Sequence, residues 1–250
     1  MKVLELFSGT GSVGKVCKKL DWEVVSVDML LPADYQVDIM EFDYKQYPKD
    51  EFDIVWASPP CTYYSNLQNC WIGRKKKDGI LVTKELIEEK RKESDILILK
   101  TLEIIDYFKP ELWFMENPQT GQLKKREVVK NIPYYDVSYC MYSDWGYEKR
   151  TRIWTNKKDW DNKICDKSGA CGNMIDSQAL RKKHRLNVSK DVHTVGEQFE
   201  KEKLRMKHKS TCDGGYDKRK KKVEGQIDSG TTKLDRYRIP DDLIFSLFQD

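Results

Sequence analysis

Cys61 follows two prolines in the run Ser58-Pro59-Pro60-Cys61-Thr62, directly after the apolar stretch Phe52 to Ala57. Proline fixes φ at about −65° and has no N–H to donate, so the pair ends a strand in a stiff turn and holds the thiol at its rim. A cysteine is most often a small inert core residue; on a rigid turn at a strand end it is a candidate nucleophile. Glu116 and Asn117 close another apolar stretch, Glu111 to Met115, and bring a carboxyl and an amide to a second strand end. The run Phe7-Ser8-Gly9-Thr10-Gly11-Ser12-Val13-Gly14 carries G-x-G-x-x-G between a strand and a helix. That spacing permits a tight turn and close approach of a ligand to backbone N–H groups. Asp28 ends the next strand, 19 positions after Gly9, where a carboxylate can accept from ribose hydroxyls. NAD and S-adenosylmethionine both satisfy that description, and the chain shows no second nucleotide-binding half of the kind that hydride chemistry uses.

These groups need elements to position them, and the hydrophobic periodicity supplies a βαβ rhythm. Lys2 to Leu6 reads as a strand, Ser12 to Leu20 as a helix, Glu23 to Val27 and Phe52 to Ala57 as strands. A long helical pattern covers Thr83 to Phe108, and Glu111 to Met115, Tyr134 to Tyr139 and Arg152 to Thr155 read as further strands. The rhythm implies a doubly wound α/β sheet. In such sheets ligands bind beyond the carboxyl ends of the strands. Gly9, Gly11, Asp28, Cys61, Glu116 and Asn117 all fall there, which points to an enzyme. After Thr155 about 80 polar, basic residues intervene before Arg238-Ile239-Pro240 opens a final amphipathic helix, Asp241 to Phe248. We therefore expect a catalytic domain over 1–155, a small basic region over 156–233, and a segment 234–250 that returns to the catalytic domain.

With 250 residues, 39% hydrophobic and 34% charged, the chain can bury a large core and is neither disordered nor collagenous. The net charge of +4 hides an uneven distribution. Trp145 to Arg238 holds 25 basic and 14 acidic residues, against 20 and 27 elsewhere. The runs Arg181-Lys182-Lys183-His184-Arg185 and Lys218-Arg219-Lys220-Lys221-Lys222 suit a polyanion. Seven irregularly spaced cysteines and an N-terminus too short and too acidic for a secretory signal indicate a reducing, intracellular setting, cytoplasmic or nuclear, and not secretion. No apolar run approaches the ~18 residues of a membrane span. Cys165, Cys171 and Cys212 with His184, His193 or His208 have the ligand types of a zinc site, but no C-x-x-C pair supports one, and no metal is assigned.

The ordered set of motifs resembles the cytosine-C5 DNA methyltransferase family over about Met1 to Thr155, and the compact length resembles its phage and viral members. Phe7, Ser8, Gly9, Thr10 and Gly11 resemble the family's cofactor loop, and Asp28 its ribose-binding acid, with Met29 placed against the adenine. Asp38 and Ile39 resemble the next motif, whose carboxylate accepts from the adenine amino group. Pro59-Pro60-Cys61 resembles the nucleophile motif, Glu116-Asn117 the acid motif, and Arg150-Thr151-Arg152 the Arg-x-Arg motif. Pro118 stands where valine usually follows, and Glu148 where glutamine usually precedes the arginines. The late Gly-Asn motif is not recognisable, and Tyr237-Arg238-Ile239-Pro240 is the candidate to replace it.

The resemblance implies a Rossmann-like fold that uses S-adenosylmethionine, with double-stranded DNA as partner and a monomer favoured. It implies that Cys61 adds to C6 of cytosine, that Glu116 holds N3, that Arg152 stabilises O2 while Arg150 orients the site, and that Asn117 positions the loop. The base would have to be flipped out of the duplex. Thr62 to Gly79, with Tyr63, Tyr64, Trp71 and Arg74-Lys75-Lys76-Lys77, would be a mobile loop closing over DNA, and the basic region would contact phosphates. An RNA cytosine methyltransferase acting on tRNA and a catalytically silent DNA-binding relative are the alternatives. Restriction-modification is one setting for such an enzyme.

Overall fold

The computed structural model describes residues 1–76, 78–176, 182–184 and 237–249. Its core is a six-stranded sheet of β1 (Lys2–Leu6), β2 (Glu23–Val27), β3 (Ile54–Ala57), β4 (Leu112–Pro118), β5 (Tyr134–Ser138) and β6 (Arg150–Thr155). The strand order is β2-β1-β3-β4-β6-β5. The first four run parallel, and β6 is antiparallel to both β4 and β5. The chain thus has the α/β architecture that the periodicity predicts. β6 begins at Arg150, two residues earlier than expected, so both arginines of the Arg-x-Arg run lie on the strand. β5 stops at Ser138, and Tyr139 starts a single 3₁₀ turn, Tyr139–Met141.

Among the described residues three α-helices pack on the sheet: α1 (Ser12–Lys19), α2 (Lys84–Phe108) and α3 (Asp241–Phe248). Strand side chains alternate between faces, and two cores result. Leu4, Leu6, Val55, Ala57, Met115 and Trp154 pack with Ile98, Ile104 and Phe108 of α2. Val3, Ile54, Trp56, Phe114 and Ile153 pack with Val13 and Val16 of α1 and with Leu243, Ile244 and Phe248 of α3. Each such side chain, fully buried, contributes about 1.5–3 kcal/mol. The central strands are buried on both sides, which is why they read as continuous apolar runs rather than alternating ones.

The helix ends show why the chain turns where it does. Thr83 caps α2 by accepting from the Leu86 N–H at 3.1 Å. α1 has Gly11 at its N-cap, with φ +65° and no side-chain cap. The buried carboxylate of Glu5 on β1 takes that role, accepting from the N–H groups of Val13 (3.2 Å) and Gly14 (3.0 Å). α3 returns to the sheet domain: the Ile239 N–H donates to Ser12 Oγ at 3.1 Å, and Lys19 pairs with Asp241. A second, two-stranded sheet pairs β7 (Met174–Asp176) with β8 (Lys182–His184). The compact unit carrying the large sheet takes in the described residues up to His184 and those from Ile239 on. Among the described residues no helix is long and apolar enough to cross a membrane.

Candidate active site

The glycine loop leaves β1 as a left-handed turn. Phe7, Gly9 and Gly11 all have positive φ (54°, 53° and 65°), and the Gly11 N–H closes the turn on the Ser8 carbonyl at 2.8 Å. A side chain on Gly11 would meet nothing within 4 Å, so backbone conformation and open space, not crowding, select glycine there. Asp28 Oδ2 accepts from the Gly9 N–H at 2.9 Å, and its Oδ1 accepts from Leu30 and Leu31. The carboxylate therefore ties the end of β2 to the loop. Met29 beside it is 56% exposed, an apolar side chain presented at a strand end. Asp38 is half-buried and accepts from the Met40 N–H. Ile39 differs: its side chain is in the core beside Phe42, so any ligand contact it makes is through backbone.

The Pro59-Pro60-Cys61 turn and the Glu116-Asn117 strand end are joined. Pro59 is buried, Cys61 half-buried, and the Asn117 side-chain amide donates to the Pro59 carbonyl at 2.9 Å. Asn117 is 1% exposed, and its Oδ1 is buried with no hydrogen-bond partner among the described residues. The turn after Pro118 is tied to the segment after Cys61 as well. Gln122 N–H donates to the Tyr64 carbonyl at 2.7 Å, and Asn66 donates to the Thr120 carbonyl. Gly121 sits where a Cβ would come within 3.1 Å of the Pro118 oxygen. Glycine is needed at that position for close approach rather than for φ.

Glu116 is 7% exposed. Its Oε1 accepts from Tyr139 Oη at 3.1 Å and lies 3.4 Å from Lys149 Nζ, and that ammonium sits 4.7 Å from the Tyr139 ring centroid. Burial and the nearby carboxylate push the Tyr139 phenol well above its ordinary range, so it donates as a neutral hydroxyl. The arginines behave differently. Arg152 forms a bidentate pair with Asp136 (2.7 and 2.8 Å) and stacks on the Tyr134 ring at 3.5 Å. Arg150 is more exposed and donates to Glu148 at 2.9 Å. Register sets Asn117 opposite Arg152 and Glu116 opposite Ile153. By the pleat, Arg152 and Asn117 share one face of the sheet, and Glu116 leaves on the other.

The segment expected to be a mobile loop is anchored at its start. Tyr64 is fully buried and donates to Asp95 at 2.9 Å, and Arg126 clamps Asp95 and Glu88 at 2.6 and 2.5 Å. Tyr64 is thus a core residue and not part of a closing loop. Beyond it the 3₁₀ helix Asn66–Trp71 buries none of its side chains. Trp71 is 50% exposed with Arg74 over its ring at 5.8 Å.

Sequence reasoning missed Glu5, Tyr139, Lys149, Asp136 and the Tyr64–Asp95–Arg126 group. Glu5 alone carried a signal, a charge inside an apolar strand. Cys165, Cys171 and His184 do come together, but with Cys140; Cys212, His193 and His208 lie outside the described residues, as do Lys77, Arg181, Arg185 and the whole run Lys218 to Lys222.

No protein-family model matches the chain. A probable DNA (cytosine-5)-methyltransferase of Frog virus 3 (isolate Goorha) is 38% identical over 249 residues, covering 99% of this chain and 98% of the relative. Among solved structures, the Entamoeba histolytica methyltransferase EhMeth matches with TM-score 0.44 and 15% identity over 67% of this chain and 57% of its own. The S. pombe Dnmt2 methyltransferase matches with TM-score 0.39 and 15% identity over 66% of this chain and 51% of its own. The chain spans about half the length of these solved structures.

Proposed function

The chain belongs to the DNA (cytosine-5)-methyltransferase family, and from that premise we propose that it methylates C5 of cytosine in duplex DNA through a covalent adduct on Cys61. The observation that carries this reading is the Asn117–Pro59 hydrogen bond, which fixes the nucleophile turn against the strand end bearing Glu116.

Cytosine C5 is a poor nucleophile until the ring is activated. The Cys61 thiolate forms a bond to C6, and the ring π electrons move to make C5 an enamine carbon. Once C5 has accepted a methyl group its proton passes to a water molecule acting as base, the C–H electrons restore the C5–C6 double bond, and the C6–S bond breaks to restore the thiolate. During addition, charge grows on N3 and O2. Tyr139 and Lys149 both hold Glu116 by Oε1, which leaves Oε2 to carry a proton and donate it toward N3. Arg152 is assigned to O2: it leaves the sheet on the face opposite Glu116, paired with Asp136, and would reach the ring oxygen around the end of β6, with Arg150 there orienting the base.

The glycine loop fits S-adenosylmethionine. Gly9 and Gly11 hold a left-handed turn with open space outside it. Asp28 accepts three N–H bonds, and a carboxylate offers about four acceptor positions, so a ribose hydroxyl can still be bound. Met29 offers an apolar bed and Asp38 a second carboxylate for the adenine, while Phe7, Ser8, Thr10, Ile39 and Pro59 shape the cleft. When bound, the group supplies a methyl on a sulfonium centre.

A stacked cytosine is out of reach of a thiol, and flipping it costs a few kcal/mol, roughly. The exposed Trp71–Arg74 segment and the basic residues after His184 are assigned to the DNA contacts that offset this. The test uses duplex DNA containing a mechanism-based cytosine analogue. The wild-type chain should form an adduct stable to denaturation, and Cys61→Ala should bind the DNA normally without forming it. Equal behaviour of the two proteins would mean a silent DNA-binding relative.

A further inference from the structure

Cys140, Cys165, Cys171 and His184 converge outside the groups assigned above. Their three sulfurs and one ring nitrogen all lie within 4.8 Å of one another. His184 Nε2 is 3.6 Å from Cys165 Sγ and 3.7 Å from Cys171 Sγ. A tetrahedral Zn²⁺ with bonds of about 2.3 Å to sulfur and about 2.05 Å to nitrogen has ligand edges of about 3.6 Å for S···N and about 3.8 Å for S···S. The two S···N separations match that edge, and the three sulfurs are close enough for small adjustments to bring them onto theirs. We propose that these four side chains hold a structural zinc ion.

Several features show a site that the fold constructs. The four ligands come from three separate places: the 3₁₀ turn after β5, the loop holding Cys165 and Cys171, and β8. Lys167, Gly169 and Gly172 take positive φ (66°, 107° and 68°), which curls the loop so that both cysteines face inward. Asn173, 1% exposed, stitches the pieces together: its amide donates to the carbonyls of Cys140, Ser143 and Cys171, and its Oδ1 accepts from Gly146. Cys140 and Cys165 are buried at 1% and 2% exposure. With four protein ligands in place the coordination sphere is closed, as in structural rather than catalytic zinc sites.

The outer shell agrees. Zinc ligation through His184 Nε2 leaves Nδ1 to carry the proton, and Nδ1 lies 4.0 Å from Glu148 Oε2. A carboxylate behind a ligating histidine is the usual way its ring is oriented. Glu148 also accepts from Arg150 and lies 4.0 Å from Lys167 Nζ, so cations balance the excess negative charge of three thiolates on one Zn²⁺. Glu148, which departs from the resembled family's glutamine, thereby acquires a role. The site also explains how β7 and β8 persist, since an isolated two-stranded ribbon is marginal and zinc binding free energy is folding free energy.

Elemental analysis of the full-length chain, purified without a polyhistidine tag or chelator, tests the proposal. One zinc per chain is expected. Cys140→Ser and His184→Ala should lose it, and Cys70→Ser, a change in an exposed cysteine, should retain it. Because the ligand variants could misfold, the wild-type chain supplies a second readout: chelator should raise the number of rapidly reacting thiols by three, and Co²⁺ replacement should give the visible bands of a tetrahedral thiolate complex. Absence of zinc with no chelator effect on thiol reactivity, zinc retained by Cys140→Ser, or a disulfide among the three cysteines would each overturn it.

Discussion

The side-chain amide of Asn117 donates to the carbonyl oxygen of Pro59 at 2.9 Å, so the residue after Glu116 holds the turn that carries Cys61, the proposed nucleophile. Asn117→Asp places an acceptor against that carbonyl, in a position 1% exposed. An uncompensated buried polar contact costs about 1–3 kcal/mol. Urea denaturation should show that loss for Asn117→Asp and a smaller one for Asn117→Ala. Methyl transfer should fall in both by more than the unfolded fraction accounts for, because Cys61 is no longer fixed. Activity that tracks the folded fraction alone would reduce Asn117 to a packing residue.

Glu5 makes stability depend on pH. Burial pushes its carboxyl up to about 7, against the Val13 and Gly14 N–H bonds that favour the charged form. The folded state thus holds its proton more tightly than the unfolded chain, whose carboxyl titrates at about 4.3. The stabilisation is fully present below about pH 4.3 and is lost as pH rises to about 7, amounting to about 4 kcal/mol. Glu5→Gln removes the titration. The stability difference between wild type and Glu5→Gln should therefore shift across this window and be constant above it; a difference that does not change with pH would contradict the assignment.

Tyr64, Asp95 and Arg126 anchor the segment that follows Cys61. Arg126→Ala leaves a largely buried Asp95 carboxylate without its cation, a loss of about 1.5–3 kcal/mol for a charged hydrogen bond. Limited proteolysis should show faster cleavage within 66–82 in this variant, and Tyr64→Phe should give a milder form of the same change. Cleavage unchanged in both would mean that the segment is held by something else.

Asp136 fixes the plane of Arg152. Asp136→Asn keeps the size of the side chain but gives up the bidentate ionic pair. If Arg152 acts on the cytosine ring oxygen, the rate of the chemical step should drop by about tenfold or more with little change in DNA affinity, since an oxyanion-stabilising group acts in the transition state. Weakened DNA binding with an unchanged single-turnover rate would assign Arg152 to the backbone of the duplex instead.

Fold and site differed in how far they were legible. α3 starts and ends at the expected residues, and β2 as well, because proline, glycine and apolar periodicity act locally. Cys61, Glu116 and Asp28 could be singled out because strand ends concentrate chemistry in α/β sheets. What holds them could not. The Asn117–Pro59 bond spans 58 positions and the Tyr139–Glu116 bond 23, and no local pattern encodes such pairings. Tyr64 reads as a loop residue because an aromatic residue in a polar run gives no sign of burial. Cys140 was overlooked as a partner of Cys165 and Cys171 because it lies beyond the next strand, outside any short ligand motif.

The central claim is that Cys61 makes this chain a cytosine-C5 methyltransferase of DNA. The most direct measurement is transfer of labelled methyl from S-adenosylmethionine to duplex DNA and to bulk RNA in parallel, with Cys61→Ala alongside. Label is expected at C5 of cytosine in DNA, abolished by the substitution, with RNA unlabelled. Label in RNA alone, or label in DNA that survives Cys61→Ala, would contradict that claim.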